Sequence, residues 1–253
     1  MKVFLAGLRP FLGKTLSSDD VKGIYALESF YYADKTTEKH LPLFKDFLLD
    51  SGAYTFFSGK QAKDMRWEDY VDRYADFIRR NNVKNFFELD IDKIVGYDRV
   101  KELRKRLEKQ AGRQCIPVWH KTRGKDDYLS MCDEYEYISV GGLVGAGGAG
   151  VSAYSKEVAK YFPWFVNEAH KRRARIHALG YTSIEGLRKY HFDSVDSTSW
   201  IAGNRFGFIY KFNGNDLLKI HRKEGQRLAN FEKTVRNNFN EWKKFQQYAD
   251  IML

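Results

Sequence analysis

Short apolar runs alternate with helical patterns along most of the chain. Eight runs have the length of a strand, over residues 3–6, 24–27, 44–49, 83–89, 115–119, 137–140, 175–179 and 192–195. Charged segments between them carry apolar side chains at three- and four-residue spacing, which predicts amphipathic helices over residues 66–80, 99–110, 128–132, 157–172 and 183–190. Strands that alternate with helices predict a parallel sheet, and eight of them predict a closed α/β (β/α)8 TIM barrel.

The pattern changes after residue 200. Residues 205–212 predict one more strand, and residues 228–252 predict a long helix whose apolar face consists of Phe231, Val235, Phe239, Trp242 and Phe245. We expect this part to close the barrel and not to form a separate domain. The chain is therefore expected to be a single barrel domain over residues 1–253, with 200–253 as a C-terminal extension.

Polar residues and glycines follow the proposed strands. These positions are Asp50, Asp90, His120, Gly141, Gly142, Gly180 and Asp196. The loops at the carboxyl ends of barrel strands carry the catalytic residues of this architecture. The regularity therefore predicts one centre, built from several strands.

Two carboxylates lie three positions apart in the segment over residues 191–200. If residues 192–195 form a buried strand, Asp193 and Val195 share one face, and Asp196 lies where the strand ends. A carboxylate at the exit of a buried strand is costly unless it is paired or used. A helix cap formed by Asp196, Ser197 or Thr198 is an equally good interpretation of this segment alone.

Two other segments suit ligand binding. In residues 50–54 a carboxylate is followed by small residues and the ring of Tyr54, so backbone can approach a ligand beside an aromatic surface; a tight turn is the alternative. The glycine-rich residues 141–150 offer amides to a carbonyl oxygen or an anion, with a flexible lid as the alternative for their second half. The run lacks the Lys-Ser/Thr ending of a P-loop, which excludes a nucleotide triphosphatase.

The histidines and cysteines give weaker signals. A lone histidine after an apolar strand, such as His120, is more often a hydrogen-bonded structural residue than a ligand contact. His177 lies inside a proposed strand and is expected to face the core or the helices. Cys115 and Cys132 form no Cys-x-x-Cys pair, so we expect neither a disulfide framework nor a zinc site.

Charge and composition favour an anionic partner. The 253 residues carry a formal net charge of +10, and aromatic residues make up 16% of the chain. Cations interleaved with rings suit phosphates and bases better than a membrane surface, although a solvated basic face is the alternative. No signal peptide or membrane-spanning run is evident, so we expect a cytoplasmic protein, in the host cell if the chain is phage-encoded.

Five segments keep an order and spacing that resembles a known enzyme family. They are Asp50-Ser51-Gly52-Ala53-Tyr54, Asp90, Val140-Gly141-Gly142-Leu143-Val144-Gly145, Ala178-Leu179-Gly180 and Phe192-Asp193-Ser194-Val195-Asp196. This succession resembles the tRNA-guanine transglycosylases, (β/α)8 barrels that exchange guanine for a 7-deazaguanine. It is most similar to their shorter bacteriophage relatives, the deoxypurine-in-DNA protein A family. That resemblance implies insertion of a base such as preQ0, or a derivative, into DNA.

The resemblance also implies roles for individual residues. Asp196 would be the nucleophile that attacks the sugar C1′ carbon, with Asp193 as the alternative because a gap after Gly180 shifts the alignment. Asp50 would be the general acid and base. The remaining base-binding residues would be Ser51, Tyr54 under the flipped base, Asp90 at its donor edge, Gly141 and Gly142 at its carbonyl oxygen, and Leu179 and Gly180 opposite the ring. His120 stands where the family has a glutamine.

The chain departs from the tRNA enzymes after the proposed nucleophile. Those enzymes have a zinc site of three cysteines and a histidine there, whereas residues 201–253 contain no cysteine. The missing zinc subdomain favours DNA over tRNA, so the expected partners are double- or single-stranded DNA and a free 7-deazapurine base. The alternative polymer is tRNA. No cofactor, metal or membrane is implied, and an accessory protein is left open.

Two rival classes fit the same chain. One is a catalytically inert nucleic-acid-binding barrel with structural carboxylates. The other is a nucleosidase that acts on a small molecule and uses the glycine-rich run for phosphate.

Overall fold

The main element of the computed structural model is an eight-stranded parallel sheet. The structure describes residues 1–52, 55–56, 65–142, 158–181, 183–222 and 230–253. The strands are β1 (Lys2–Ala6), β2 (Tyr25–Ser29), β3 (Asp46–Asp50), β4 (Asn85–Phe86), β5 (Val118–Trp119), β6 (Tyr137–Val140), β7 (Arg175–Ala178) and β8 (Ser194–Ser197). Their order, β4-β3-β2-β1-β8-β7-β6-β5, makes the first and last strands neighbours.

Backbone contacts join the two edge strands of this sheet. Phe87, just after β4, forms a parallel bridge with Ile116, just before β5. The Ile116 amide donates to the Phe86 carbonyl over 2.7 Å, and the Glu88 amide donates to the Ile116 carbonyl over 3.0 Å. The eight predicted strands and the TIM-barrel-like α/β fold are therefore confirmed, although β4 and β5 are only two residues long.

Helices follow most of these strands. Within the described residues they are α1 (Ser18–Val21), α2 (Lys35–His40), α3 (Trp67–Arg80), α4 (Asp92–Val95), α5 (Tyr97–Ala111), α6 (Gly124–Glu134), α7 (Phe162–Lys171), α8 (Ile184–Tyr190), α9 (Ser199–Phe206) and α10 (Phe231–Met252). In α3 the residues of the predicted apolar face are all buried. Helix α3 also begins with Glu68 and Asp69 and ends with Arg79 and Arg80, which matches the helix dipole at both ends.

Alternation along the strands produces two apolar layers. One cluster joins side chains from different strands, which can meet only inside the barrel: Phe4, Ala6, Tyr25, Leu27, Leu48, Phe87, Ile116, Val118 and Tyr137. The residues between them, such as Val3 and Leu5, pack against the helices and are fully buried. Several inward side chains toward the carboxyl ends are polar, among them Asp50, His177 and Asp196.

The strand predicted over residues 205–212 is confirmed for Phe208–Phe212, and a helix that was not predicted precedes it. Helix α9 ends at Phe206, and a hairpin of β9 (Phe208–Phe212) and β10 (Leu217–His221) follows. Helix α10 packs on the barrel, where Gln246 binds three backbone groups of β1 and β2 with hydrogen bonds of 2.6–3.0 Å. No helix in the described part of the chain is long and apolar enough to cross a membrane.

Candidate active site

Asp196 lies inside the barrel near its carboxyl end. It is the third residue of β8, which begins later than predicted, so Asp196 is within the strand and not past its end. Its Oδ1 atom accepts hydrogen bonds from the Gly180 amide at 2.7 Å and from His177 Nε2 at 3.2 Å. The side chain is 11% exposed, so two donors fix a carboxylate that still reaches solvent.

Asp50 is the last residue of β3, which β2 and β1 separate from β8 in the sheet. Its Oδ2 atom accepts a 2.9 Å hydrogen bond from the Gly52 amide. Gly52 has a φ of +83°, and a Cβ atom there would lie 2.6 Å from Cβ of Tyr31. The turn that holds Asp50 therefore requires glycine, both for its dihedral and for its close approach to Tyr31.

The surroundings of Asp50 favour its protonated form. The pKa of Asp50 is raised from 3.8 to about 6, chiefly by burial and also by the negative charges of Asp196 and Asp90. The Gly52 amide acts in the opposite direction without cancelling the effect. Three carboxylates from separate strands are thus close enough to interact, and one of them can exchange a proton near neutral pH.

Asp90 and His120 contact each other across two neighbouring loops. Asp90 follows β4, His120 follows β5, and His120 Nε2 lies 2.5 Å from Asp90 Oδ1. A Cβ atom on Gly141 would lie 2.6 Å from Cε1 of His120 and 2.7 Å from Cγ1 of Val118. Glycine at 141 therefore makes room for the His120 ring.

Gly141 was expected to donate its amide hydrogen to a ligand, and the structure corrects this expectation. Its amide donates to the Trp119 carbonyl over 2.8 Å, so the β5–β6 pairing already uses it. Gly142 has a φ of +72° beside the His120 ring, and its role as a donor remains a prediction.

The other residues that were predicted to contact the base differ in their exposure to solvent. Leu179 is half-buried and packs on the interior cluster, while Gly180 is exposed with a φ of +67°. Ser51 is 1% exposed, and its hydroxyl has no hydrogen-bond partner within the described residues. Tyr54 lies outside the described residues.

Asp193 lies at the opposite end of the barrel, which corrects its candidacy as the nucleophile. It precedes β8, and its carbonyl accepts from the Lys2 amide at the start of β1 over 3.0 Å. Its Oδ2 atom accepts from the Ile176 amide at 2.8 Å and lies 2.9 Å from His170 Nε2. Because the strand starts after Asp193, only Asp196 reaches the end that holds Asp50.

His177 belongs to the site although its position within a strand made it a weak candidate. It faces the barrel interior, is fully buried, and contacts Asp196 directly. In the register of β7 and β8 it pairs with Ser194, two residues before Asp196. The only signal in the sequence was the alternation of side chains along the strand, which puts His177 on the same face as the predicted contact residue Leu179.

Glu88 and Asp92, on either side of Asp90 in the sequence, support the loops. The Arg123 guanidinium donates to Glu88 Oε1 at 2.8 Å and to Asp92 Oδ2 at 2.7 Å. The side chains of Arg123 and Glu88 are 1% and 0% exposed. This buried pair ties the segment after β5 to the segment after β4, and it lies outside the interior site.

No group of three or more potential ligands within the described ranges is arranged to hold a metal ion. Both cysteines are buried and free. Burial raises the pKa of the Cys132 thiol to about 11, which disfavours the thiolate that metals and electrophiles require.

The fold and the site define a TIM-barrel-like α/β protein with an acidic centre at the carboxyl ends of its strands. No protein-family model matches the chain, and no curated protein matches it. A solved structure described as "QR15, an Aldolase" superposes with a TM-score of 0.48 at 13% identity, over 78% of this chain and 89% of that chain.

The carboxyl transferase domain from Rhizobium etli pyruvate carboxylase with pyruvate superposes with a TM-score of 0.43 at 11% identity, over 98% of this chain and 48% of that chain. Similarities this weak indicate nothing about substrate or reaction. The fold assignment rests on the strands themselves.

Proposed function

We propose that this protein is a base-exchange transglycosylase that replaces guanine in DNA with a 7-deazaguanine base through a covalent ester on Asp196. One observation supports the proposal above the others. Two carboxylates, at the end of β3 and near the end of β8, are close enough for the charge of Asp196 to act on Asp50, and the pKa of Asp50 is raised to about 6. Glycosyl transfer with a covalent intermediate needs a nucleophilic carboxylate and a carboxyl group that exchanges a proton.

In the first step Asp196 attacks C1′ of the target nucleotide. A bond forms between a carboxylate oxygen and C1′, the bond from C1′ to the base nitrogen breaks, and its electron pair leaves with the base. The protonated Asp50 donates its proton to the departing guanine. The products are free guanine and a sugar ester on Asp196.

In the second step the reaction runs backwards with a different base. The ionised Asp50 takes the proton from the ring nitrogen of the incoming 7-deazaguanine. That nitrogen attacks C1′, and the Asp196 carboxylate leaves. Asp50 is protonated again, so neither a nucleotide nor an oxidant is consumed.

Base recognition is assigned to the loops after β4 and β5. Guanine presents N–H donors on its pairing edge, and a carboxylate such as Asp90 accepts them. His120, which touches the same carboxylate, orients it, and Leu179 offers an apolar surface to the ring. The target nucleotide must leave the stack at a cost of a few kcal/mol, which such contacts offset.

The choice of DNA rests on charge and on the C-terminal part. A net charge of +10 suits a polyanion, and residues 201–253 lack the cysteines expected for a zinc subdomain. The alternative polymer is tRNA, and the experiment below distinguishes modification of tRNA from modification of DNA.

The test is incorporation of radiolabelled guanine into a polymer. The protein is incubated with guanine-containing duplex DNA, with single-stranded DNA or with tRNA, and retained label is counted. We expect label in DNA with the native protein and none with Asp196→Asn. Asp193→Asn is the matched control, because it makes the same change at the other end of the barrel and should retain activity. A denaturing gel should show a protein–DNA adduct that requires Asp196.

The other outcomes each point to a different function. Label in tRNA alone would identify tRNA as the polymer. Salt-sensitive DNA binding with no incorporation, equal in the native protein and in Asp196→Asn, would indicate an inert binding barrel. Free base released from a nucleoside without any polymer would indicate a nucleosidase.

A further inference from the structure

A row of buried polar groups runs from Asp196 into the barrel interior. His177 Nε2 lies 3.2 Å from Asp196 Oδ1, and His177 Nδ1 lies 2.6 Å from the Ser194 hydroxyl. The Ser194 hydroxyl is in turn hydrogen-bonded to the Tyr137 hydroxyl. His177 is fully buried, and Ser194 is 1% exposed. Every polar group in the row thus has a partner within it.

The chemistry of the row fixes where its protons lie. A carboxylate only accepts hydrogen bonds, so the bond to Asp196 places the imidazole proton on Nε2. Nδ1 then carries a lone pair and accepts the Ser194 proton. The Ser194 oxygen accepts from Tyr137, whose pKa burial raises, so that its hydroxyl remains a donor.

Aromatic rings surround the imidazole and exclude alternative partners. The ring centroids of Phe4, Phe87 and Tyr137 lie 6.3, 5.3 and 6.5 Å from that of His177. A buried imidazole among rings loses its hydrogen bonds if it rotates, and that loss is costly. Its tautomer and its orientation toward Asp196 are therefore set by the fold.

We propose that His177 is the positioning residue of the Asp196 nucleophile, with its tautomer fixed by Ser194 and Tyr137. The inference rests on the function proposed above. Together with the Gly180 amide, His177 binds Oδ1 of Asp196 and so directs the other oxygen toward C1′. When the ester breaks in the second step, the same two donors stabilise the carboxylate that leaves.

The kinetic test compares two substitutions of His177. His177→Phe keeps a ring of similar size but removes the donor, whereas His177→Gln retains an N–H that can reach Asp196. We expect His177→Phe to lower kcat on the order of 100-fold, the effect of a misplaced reacting group, with KM for DNA within about twofold of the native value. His177→Gln should recover part of kcat. A purely structural role would not separate the two variants in kcat at equal folded fraction.

His170→Phe is the matched control. His170 forms another histidine–aspartate contact, at the amino end of the barrel, where its Nε2 lies 2.9 Å from Asp193 Oδ2. Its loss should leave kcat and KM unchanged.

A spectroscopic readout separates the inference from the proposed function. In protein labelled with ¹⁵N-histidine, the His177 resonances, assigned by their loss in His177→Gln, should show protonation on Nε2 and a bare Nδ1. They should shift in Asp196→Asn and remain in place in Asp193→Asn. This measurement needs no substrate.

The outcomes are distinct. Native exchange by His177→Phe, with an inactive Asp196→Asn, would overturn the inference and leave the proposed function standing. If the native protein exchanges no base in any polymer, the proposed function fails. The tautomer then decides the positioning: protonation on Nδ1 overturns it, and protonation on Nε2 with the expected shift in Asp196→Asn supports it.

Discussion

Replacing Asp50 by asparagine is expected to stabilise the protein at pH 8 while abolishing base exchange. The pKa of Asp50 is raised from 3.8 to about 6, chiefly by burial. Each pKa unit corresponds to 1.36 kcal/mol, so the ionised side chain costs the native state about 3 kcal/mol. Asparagine is close to aspartate in size, carries no charge, and its oxygen can still accept from the Gly52 amide. The substitution therefore removes the cost and retains the hydrogen bond.

Proton linkage determines whether ionisation of Asp50 stabilises or destabilises the native state. Because the pKa of Asp50 is higher in the native state than in the unfolded state, native protein binds the proton more tightly between about pH 4 and pH 6. The stabilisation is complete below the unfolded pKa and is lost as the pH rises through the native value. Asp50 is half-buried, so solvent screening reduces the difference, and we expect a gain of about 2 kcal/mol for Asp50→Asn at pH 8.

Urea unfolding followed by tryptophan fluorescence measures this gain. The native protein and Asp50→Asn are compared at about pH 3.5, just below the unfolded pKa of 3.8, and at pH 8, with the five tryptophans as reporters. The difference in the free energy of unfolding should be small at about pH 3.5 and reach about 2 kcal/mol at pH 8. Asp193→Asn, which weakens contacts with His170 and Ile176, should instead lose about 1 kcal/mol. An Asp50→Asn variant that is less stable than the native protein at pH 8, or a gain that is equal at both pH values, would refute the reasoning.

Two further predictions concern the support of the site. Gly52→Ala adds a Cβ atom 2.6 Å from Tyr31 Cβ at a φ of +83°, whereas Gly13→Ala meets no atom within 4 Å at a φ of +71°. Thermal melts should show a loss of about 1 kcal/mol for Gly13→Ala and at least twice that for Gly52→Ala, and equal losses would contradict the close approach. Arg123→Met leaves the buried Glu88 carboxylate without its 2.8 Å partner and should cost about 3 kcal/mol in urea unfolding at pH 8. The loss should shrink at pH 5, because burial raises the pKa of Glu88 and protonation relieves a carboxylate whose remaining charged partner is Arg104, 3.4 Å away. A loss under about 1 kcal/mol would argue against the ion pair with Arg123.

The sequence was sufficient for the barrel and for two of its carboxylates. Apolar runs ended by polar residues or glycine located all eight strands, because a buried parallel strand must be apolar until its carboxyl end. The same rule predicted Asp50 at the end of β3 and Asp196 near the end of β8. These features depend only on the residues of short segments, so they can be predicted from a single sequence.

Features that depend on strand phase and register were not available from the sequence. Strand β8 begins two residues later than predicted, at Ser194, and this shift moves Asp193 to the opposite end of the barrel. The contact between His177 and Asp196 depends on the register of β7 against β8. The hydrogen bond from the Gly141 amide to the Trp119 carbonyl depends on the register of β5 against β6. The strand β10 was missed because four of its five residues are exposed, so its apolar residues follow no buried face.

The carboxyl end of the barrel holds two kinds of buried polar group with opposite effects on stability. Asp50 is buried at a cost, since its ionised form lacks enough donors, and its removal should stabilise the native state. His177 is hydrogen-bonded to both Asp196 and Ser194, so its removal deprives each of these buried groups of one hydrogen bond and should destabilise the native state. Both substitutions should nevertheless reduce exchange, because the proposed reaction needs an available proton and a fixed nucleophile. A lower activity accompanied by stability changes of opposite sign is therefore the result that a catalytic centre predicts and a purely structural polar core does not.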